Sequence, residues 1–298
     1  MRHTILNAFC ALITWSAGVQ DGNTETLAFL NPVKFRSIVG EGNENKWHNL
    51  QLGERTAKIG LALIGTPYLN YTLELSDRLE APSVNMDGMD CWTFFENALG
   101  TARAFSVTVS PEPRDLLRMI ELDRYRGGAC DGTFLSRLHH LEDWAHDNEQ
   151  RGLIDDITPA LPGAKKLHRK MSYMGKNWES FRQLRCNPSL VPKMQKIEDE
   201  ISRRGIHYIP KKSVRAIEKH LRDGDVVSIV TTWPGTYTSH VGIVVRDKNG
   251  VLRFLHASKN HRQVVLDTRL SEYLAANNKH MGIHVSRPKE VQLSAMDH

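Results

Sequence analysis

Cysteine is scarce in this chain of 298 residues: there are four, and no two stand at CxxC spacing. A zinc ribbon built on clustered thiolates is thereby excluded. Beyond the N-terminal segment, no run approaches the roughly 18 continuous apolar residues of a membrane span, so no internal transmembrane helix is expected. Internal repeats and low-complexity linkers are also missing, which excludes repeat and collagen-like architectures. Nor is there a block of one charge. The 39 Lys and Arg are spread along the chain against 34 Asp and Glu, for a net charge of +5. That pattern describes an ordinary solvated surface, and nucleic acid is not an expected partner. The remainder, 40% apolar and 24% charged, is globular and long enough for one large domain or two small ones.

The first residues carry a layout of their own. Met1-Arg2-His3 is basic, Thr4 to Trp15 is mostly apolar, and Ser16-Ala17-Gly18 supplies small residues before a polar stretch. This reads as a signal peptide over residues 1–18, with a buried N-terminal helix as the alternative. Ala8-Phe9 before Cys10 makes a poor lipoprotein cleavage site, so no lipid or other stable membrane anchor is expected. The mature chain is expected in the periplasm as a monomer. Export would leave Cys91, Cys130 and Cys186, an odd count that implies a leftover thiol. Cys130 and Cys186 can form a bridge only if the fold brings them together.

Residues 19–45 read as a polar N-terminal extension and 46–290 as one domain, followed by a tail over 291–298. Apolar residues from Leu50 to Ile64 have a helical spacing, ended by Gly65 and Pro67. Asp90 stands as an N-cap for a mostly buried helix from Cys91 to Arg103. An insert over about 110–220 reads as helical. Within it, Leu135, Leu138, Leu141 and Trp144 suggest a helix from Phe134 to Asn148, and Met194, Ile197 and Ile201 another from Met194 to Arg204. The last third changes period. Val226–Val230, Val241–Val245, Leu252–Ala257, Gln263–Leu266 and Ile283–Val285 are short and β-branched, with a hairpin turn at Lys248-Asn249-Gly250. Helices first and an antiparallel sheet after give an α+β class.

Three segments combine into chemistry: Asp90-Cys91-Trp92-Thr93-Phe94, Ser239-His240-Val241-Gly242 and Leu255-His256-Ala257-Ser258. A cysteine at the first position of a helix faces unpaired N–H groups and the positive end of the helix dipole, which favour thiolate. Its own N–H is an oxyanion donor. His240 is suited to act as the base, and a tight hairpin would set His256 roughly opposite it, where His256 could orient its ring. Each residue also has a plainer reading, since a lone cysteine beside Trp and Phe is often a small buried hydrophobe. A zinc site is a further alternative, although no pair of Cys91, His240 and His256 has the close spacing of a structural site. Spacing alone leaves these open.

The ordered set, with Gly224-Asp225-Val226-Val227, Gly65-Thr66-Pro67-Tyr68, Thr72-Leu73-Glu74, Arg137-Leu138-His139, Asp143-Trp144, Ile209-Pro210-Lys211 and the ending Gly282-Ile283 to Arg287, resembles the NlpC/P60 cysteine hydrolases. Within them it is similar to the N-acetylmuramoyl-L-alanine amidase-like branch (DUF1460), over about residues 55–288. The resemblance implies a papain-like fold with the nucleophile helix packed on the antiparallel sheet. It implies Cys91 as nucleophile, His240 as base and His256 as the orienting residue. Tyr68 falls on the tyrosine that assists the oxyanion region, with a structural aromatic as its alternative. Asn85 either shapes the site or forms the turn before Gly88. Asp225 reads as a turn residue, and Arg137-Leu138-His139 as helical packing. The implied reaction is hydrolysis of the muramoyl-L-alanine amide of peptidoglycan or muropeptides through a thioester, with no metal and no organic cofactor. The alternatives are cleavage of the γ-D-glutamyl-diaminopimelate bond, and a non-catalytic wall-binding module.

Overall fold

Apolar residues at i, i+3 and i+4 fold α1 (Pro32–Glu44) against the core in the computed structural model, which describes residues 28–73 and 80–291. The expected signal peptide, the motif residue Glu74 and residues 292–298 of the tail lie outside the described residues. Asn31 caps α1 by accepting the Lys34 N–H at 3.0 Å, and Phe35, Ile38 and Val39 are buried. From Phe29 onward, then, the N-terminal segment is part of the core rather than an extension. β1 (Phe29–Leu30) pairs in parallel with β2 (Val84–Asn85).

α2 (Leu52–Ala62) and α3 (Cys91–Val107) follow the expected spacing closely. The start of α3 is fixed by a reciprocal cap: the Asp90 carboxylate accepts the Thr93 N–H at 2.9 Å, and the Thr93 hydroxyl accepts the Asp90 N–H at 3.0 Å. α4 (Pro113–Arg124) packs on α3. Within α3, buried Glu96 accepts from the Trp92 indole at 2.7 Å and pairs with buried Arg124 of α4 at 2.8 Å. Truncating one partner strands a charge in the core. Glu96→Ala is therefore expected to destabilise the fold by about 3–5 kcal/mol in denaturant unfolding, and to loosen the Trp92 ring with it.

The helix expected from Phe134 to Asn148 is shorter. Phe134–Ser136 form one 3-10 turn, the chain then runs extended, and α5 is Leu141–Gln150. Leu138 N–H bonds to the Arg124 carbonyl at 2.9 Å and Arg137 bridges Tyr125, so tertiary hydrogen bonding overrides the local period. Arg137-Leu138-His139 is accordingly not helical. The insert over 110–220 is also not wholly helical. It contributes β3 (Ile154–Asp156), β4 (Lys165–Leu167) and β5 (Ile206–Pro210), with α6 (Val191–Arg204) burying Met194 and Ile201 as the sequence suggested. α7 (Lys211–Ile217) leads into the main sheet. Cys130 and Cys186 are free thiols, so the bridge between them is not formed.

β6 (Val226–Thr231), β7 (Thr238–Arg246), β8 (Leu252–Ser258) and β9 (Gln263–Arg269) form a meander, followed by α8 (Leu270–Ala275) and β10 (His280–Pro288). The sheet runs β4-β5-β10-β6-β7-β8-β9, with β3 beside β10, and every pair in it is antiparallel. The α+β class expected from the sequence is the observed one. Alternation along β7 sends Val241, Ile243 and Val245 into the core with α2 and α3. His240, Gly242 and Val244 go to the other face, which packs on α7 and α8 through Phe254, Leu270 and Leu274.

Candidate active site

Cys91 enters the site as the first residue of α3, and His240 and His256 enter from β7 and β8. The hairpin register pairs Ile243 with Leu255 and Val244 with Phe254, so His256 stands across from Gly242 rather than from His240. The two histidines are diagonal neighbours on one face. Gly242 makes this possible, because a Cβ there would come within 2.8 Å of His256 Cβ and 2.6 Å of the Leu255 carbonyl. With that space clear, His240 Nε2 and His256 Nδ1 lie 2.6 Å apart with their rings nearly perpendicular.

A third member completes the chain. His256 Nε2 is 3.3 Å from Asp267 Oδ2 on β9. The hydrogen bond from His256 holds the Asp267 carboxyl at about 2, below its ordinary 3.8. Asp267 is thus an anion across the working range, and an anion only accepts. In the neutral His256 ring the proton then sits on Nε2, which leaves Nδ1 to accept from His240 Nε2–H. The His240 lone pair is consequently on Nδ1. Asp267 thereby sets the tautomer of both rings.

Cys91 and His240 line one cavity of about 290 Å³ together with Trp92, Tyr173, Phe181 and Trp233. The Val241 N–H, next to His240 in the chain, lies close enough to Cys91 to favour ionisation of its thiol. Burial pushes the thiol up to about 12, with Asp90 adding to the rise, while N–H donors from Val241, Cys91 and Trp92 act the other way. Burial, and then the His256 and His280 rings, hold His240 well below the ordinary 6.5. The thiolate expected from the helix start is therefore not the resting form: desolvation outweighs the helix-terminal donors. The cavity is thus lined by a thiol and an imidazole, both held toward their neutral forms by burial.

Tyr68 is bridged to Met89, two residues before the thiol, and is raised to about 12 by burial and then by Cys91 and Asp90. It stands near the sulfur but outside the cavity lining. Asn85 is not part of the cavity either. Its side-chain oxygen accepts the Asp87 N–H at 2.8 Å and the Gly88 N–H at 3.3 Å, so it closes the turn leading to Asp90. Asp225 accepts from Arg222 and Arg287 at the entry to β6, as expected of a turn residue. Asp267 was missed in the sequence because nothing in its spacing sets it apart; only the β8–β9 register brings it to His256. Tyr273 of α8, whose ring centre lies 5.2 Å from that of His256, was missed for the same reason. Among the described residues, no group of three or more His, Cys, Asp or Glu side chains is arranged to hold a metal ion.

An AmiA-like, N-acetylmuramoyl-L-alanine amidase-like family model matches residues 58–283. Among solved structures, an N-acetylmuramoyl-L-alanine amidase from Bacteroides uniformis is 33% identical, with a TM-score of 0.73, covering 80% of this chain and 99% of its own. A Bacteroides fragilis protein provisionally assigned as a xylanase is 36% identical, with a TM-score of 0.69, covering 76% of this chain and 98% of its own. A Legionella pneumophila protein of DUF1460 shares the fold at 20% identity and a TM-score of 0.62, covering 87% of this chain and 96% of its own. Among curated proteins there is no match.

Proposed function

Because the chain belongs to the AmiA-like, N-acetylmuramoyl-L-alanine amidase-like family, we propose that it hydrolyses the amide between N-acetylmuramic acid and L-alanine in peptidoglycan or its fragments. Cys91 is the nucleophile in this reading and His240 its base. The observation that carries it is the His240–His256–Asp267 relay, which ends in the cavity that Cys91 lines. The relay leaves a lone pair on His240 Nδ1, the nitrogen a thiol proton needs.

With both groups neutral at rest, the sulfur attacks the carbonyl carbon as His240 Nδ1 takes its proton. The Cys91 N–H at the start of α3 stabilises the developing oxyanion. His240 then returns the proton to the amine nitrogen as the C–N bond breaks, freeing L-alanyl peptide and leaving a muramoyl thioester on Cys91. Water, deprotonated by the same ring, hydrolyses the thioester. Tyr68 lies close enough to the sulfur to border the oxyanion region. The same layout, a cysteine at a helix start packed on an antiparallel sheet that carries two histidines, supports reading the fold as papain-like and of the NlpC/P60 kind. Glycoside hydrolysis, which the Bacteroides fragilis label would suggest, uses two carboxyls. The cavity lining holds one, Glu142.

Incubation with a defined N-acetylmuramoyl-L-alanyl peptide, followed by mass spectrometry, is expected to yield free peptide beginning with L-alanine. Products cut instead at the γ-D-glutamyl bond would replace the amidase reading with the endopeptidase one, and no products would favour a binding module. The pH profile of kcat/KM tests the resting state. Activity requires neutral His240, so it is lost only as pH falls through a value below 6.5. With the thiol at about 12, no alkaline limb is expected below about pH 9. A descending limb there would mean a thiolate–imidazolium pair. The layout of residues 1–18 further supports export to the periplasm, which N-terminal sequencing of the mature protein would check.

A further inference from the structure

The cavity wall carries a carboxyl that acyl transfer leaves unused. Glu142, in the first turn of α5, is 7% exposed and lines the same cavity as Cys91 and His240. Neither of its oxygens has a hydrogen-bond partner among the described residues. Thr238 lies close enough to ease its ionisation but does not bond to it in acceptable geometry, and burial pushes the carboxyl up. Beside it, His140 is also 7% exposed and lines the cavity, its Nε2 making no hydrogen bond and facing Glu198 at 3.9 Å. A buried carboxyl without a hydrogen-bond partner is costly, and in a cleft wall this points to a group supplied by the ligand. Aromatic side chains share the wall, among them Tyr173, 47% exposed, and Trp233, 51% exposed.

We propose that Glu142 receives the hydroxyl and amide N–H donors of the substrate's glycan, with the aromatic wall lying against the sugar ring. This rests on the amidase reading, which puts a muramoyl group on the acyl side of the scissile bond and a stem peptide on the other. The peptide offers amide N–H donors too, but it carries carboxylates that would have to be desolvated beside a buried acid, and it has no hydroxyl-bearing ring. The glycan is uncharged, rich in paired O–H and N–H donors, and presents an apolar ring face to aromatic side chains. One buried acid in a cavity wall that also carries aromatic rings matches the second set of properties.

Equilibrium binding to the Cys91→Ala protein, by calorimetry, tests this with two ligands: N-acetylmuramoyl-L-alanyl peptide, and the same peptide carrying only a D-lactoyl group in place of the muramoyl one. Adding Glu142→Ala is expected to weaken the muramoyl ligand by about 10- to 100-fold and to leave the lactoyl ligand unchanged. Glu142→Gln, which keeps shape and one acceptor, should lose less. Equal weakening of both ligands, loss confined to the lactoyl ligand, or no loss at all would overturn the assignment. Should Glu142→Ala fail to fold by thermal melting, the Gln variant decides by the same comparison. Failure of the amidase reading shows up separately, as absent turnover of the muramoyl peptide by the wild-type protein.

Discussion

Cys91→Ala is expected to lower turnover of an N-acetylmuramoyl-L-alanyl peptide by about 10⁴-fold or more, while binding and folding persist. The size of the effect follows from the proposed role of the sulfur as the atom that bonds to carbon. Nothing else in the relay can replace it: His240 and His256 move and hold protons, and Asp267 fixes where those protons sit. The cavity also holds Ser239, next to His240 in the chain. Turnover that survives in Cys91→Ala and disappears in Ser239→Ala would assign the chemistry to the hydroxyl instead. Because Cys91→Ala removes a single atom from a residue at the start of α3 that keeps some exposed surface, the change should cost about 1 kcal/mol or less in unfolding. A melting curve close to the parent's separates lost chemistry from lost structure. Cys91→Ser should also be nearly inactive, since His240, held well below 6.5 by burial, is a weak base for a hydroxyl.

Asp267→Asn is the second large effect, about 10²-fold in kcat with little change in KM. An asparagine amide can turn its NH₂ toward His256 Nε2, and that donor reverses the relay. His256 would then carry its proton on Nδ1 and donate to His240 Nε2, forcing the His240 proton onto Nδ1. A protonated Nδ1 cannot accept from the thiol. Asp267→Glu, which keeps the anion, should recover part of the rate. A merely structural role would not move the pH profile, but the relay does. The Asp267 charge raises His240 against the lowering effects of burial and the neighbouring histidines. Without that charge His240 drops further, and the acid limb of kcat/KM should shift to lower pH in Asp267→Asn. An unchanged limb with full activity would remove Asp267 from the mechanism.

The framework of the proposed site was legible from local signals. Asp90-Cys91-Trp92-Thr93 carries both halves of a reciprocal cap, so the start of α3 and the position of its thiol follow from four residues. The five strands of the last third are β-branched runs between turn residues, and all five fall inside β6 to β10. What escaped depends on register or on long-range hydrogen bonds. His240 and His256 were expected face to face, whereas the hairpin makes them diagonal across the space left by Gly242. Asp267 and Glu142 look like any other acids in the chain until the sheet brings one to His256 and α5 brings the other to the cavity. The extended course of residues 137–140 is imposed by Arg124 and Tyr125, far outside any local window. The strands of the insert, three to five residues long, are too short to show a period. The direction of the thiol's shift escapes the sequence for a different reason. The helix start was counted, but the cost of burying a charge was not, and burial dominates.

The most direct measurement is intact-protein mass spectrometry after rapid mixing with an N-acetylmuramoyl-L-alanyl peptide and an acid quench. The spectrum should show the protein heavier by one muramoyl group with the peptide gone, and digestion should place the added mass on Cys91. Free peptide beginning with L-alanine should appear in the same quench. An adduct that includes the peptide, an adduct on another residue, or continued turnover by Cys91→Ala would contradict a thioester formed at that sulfur.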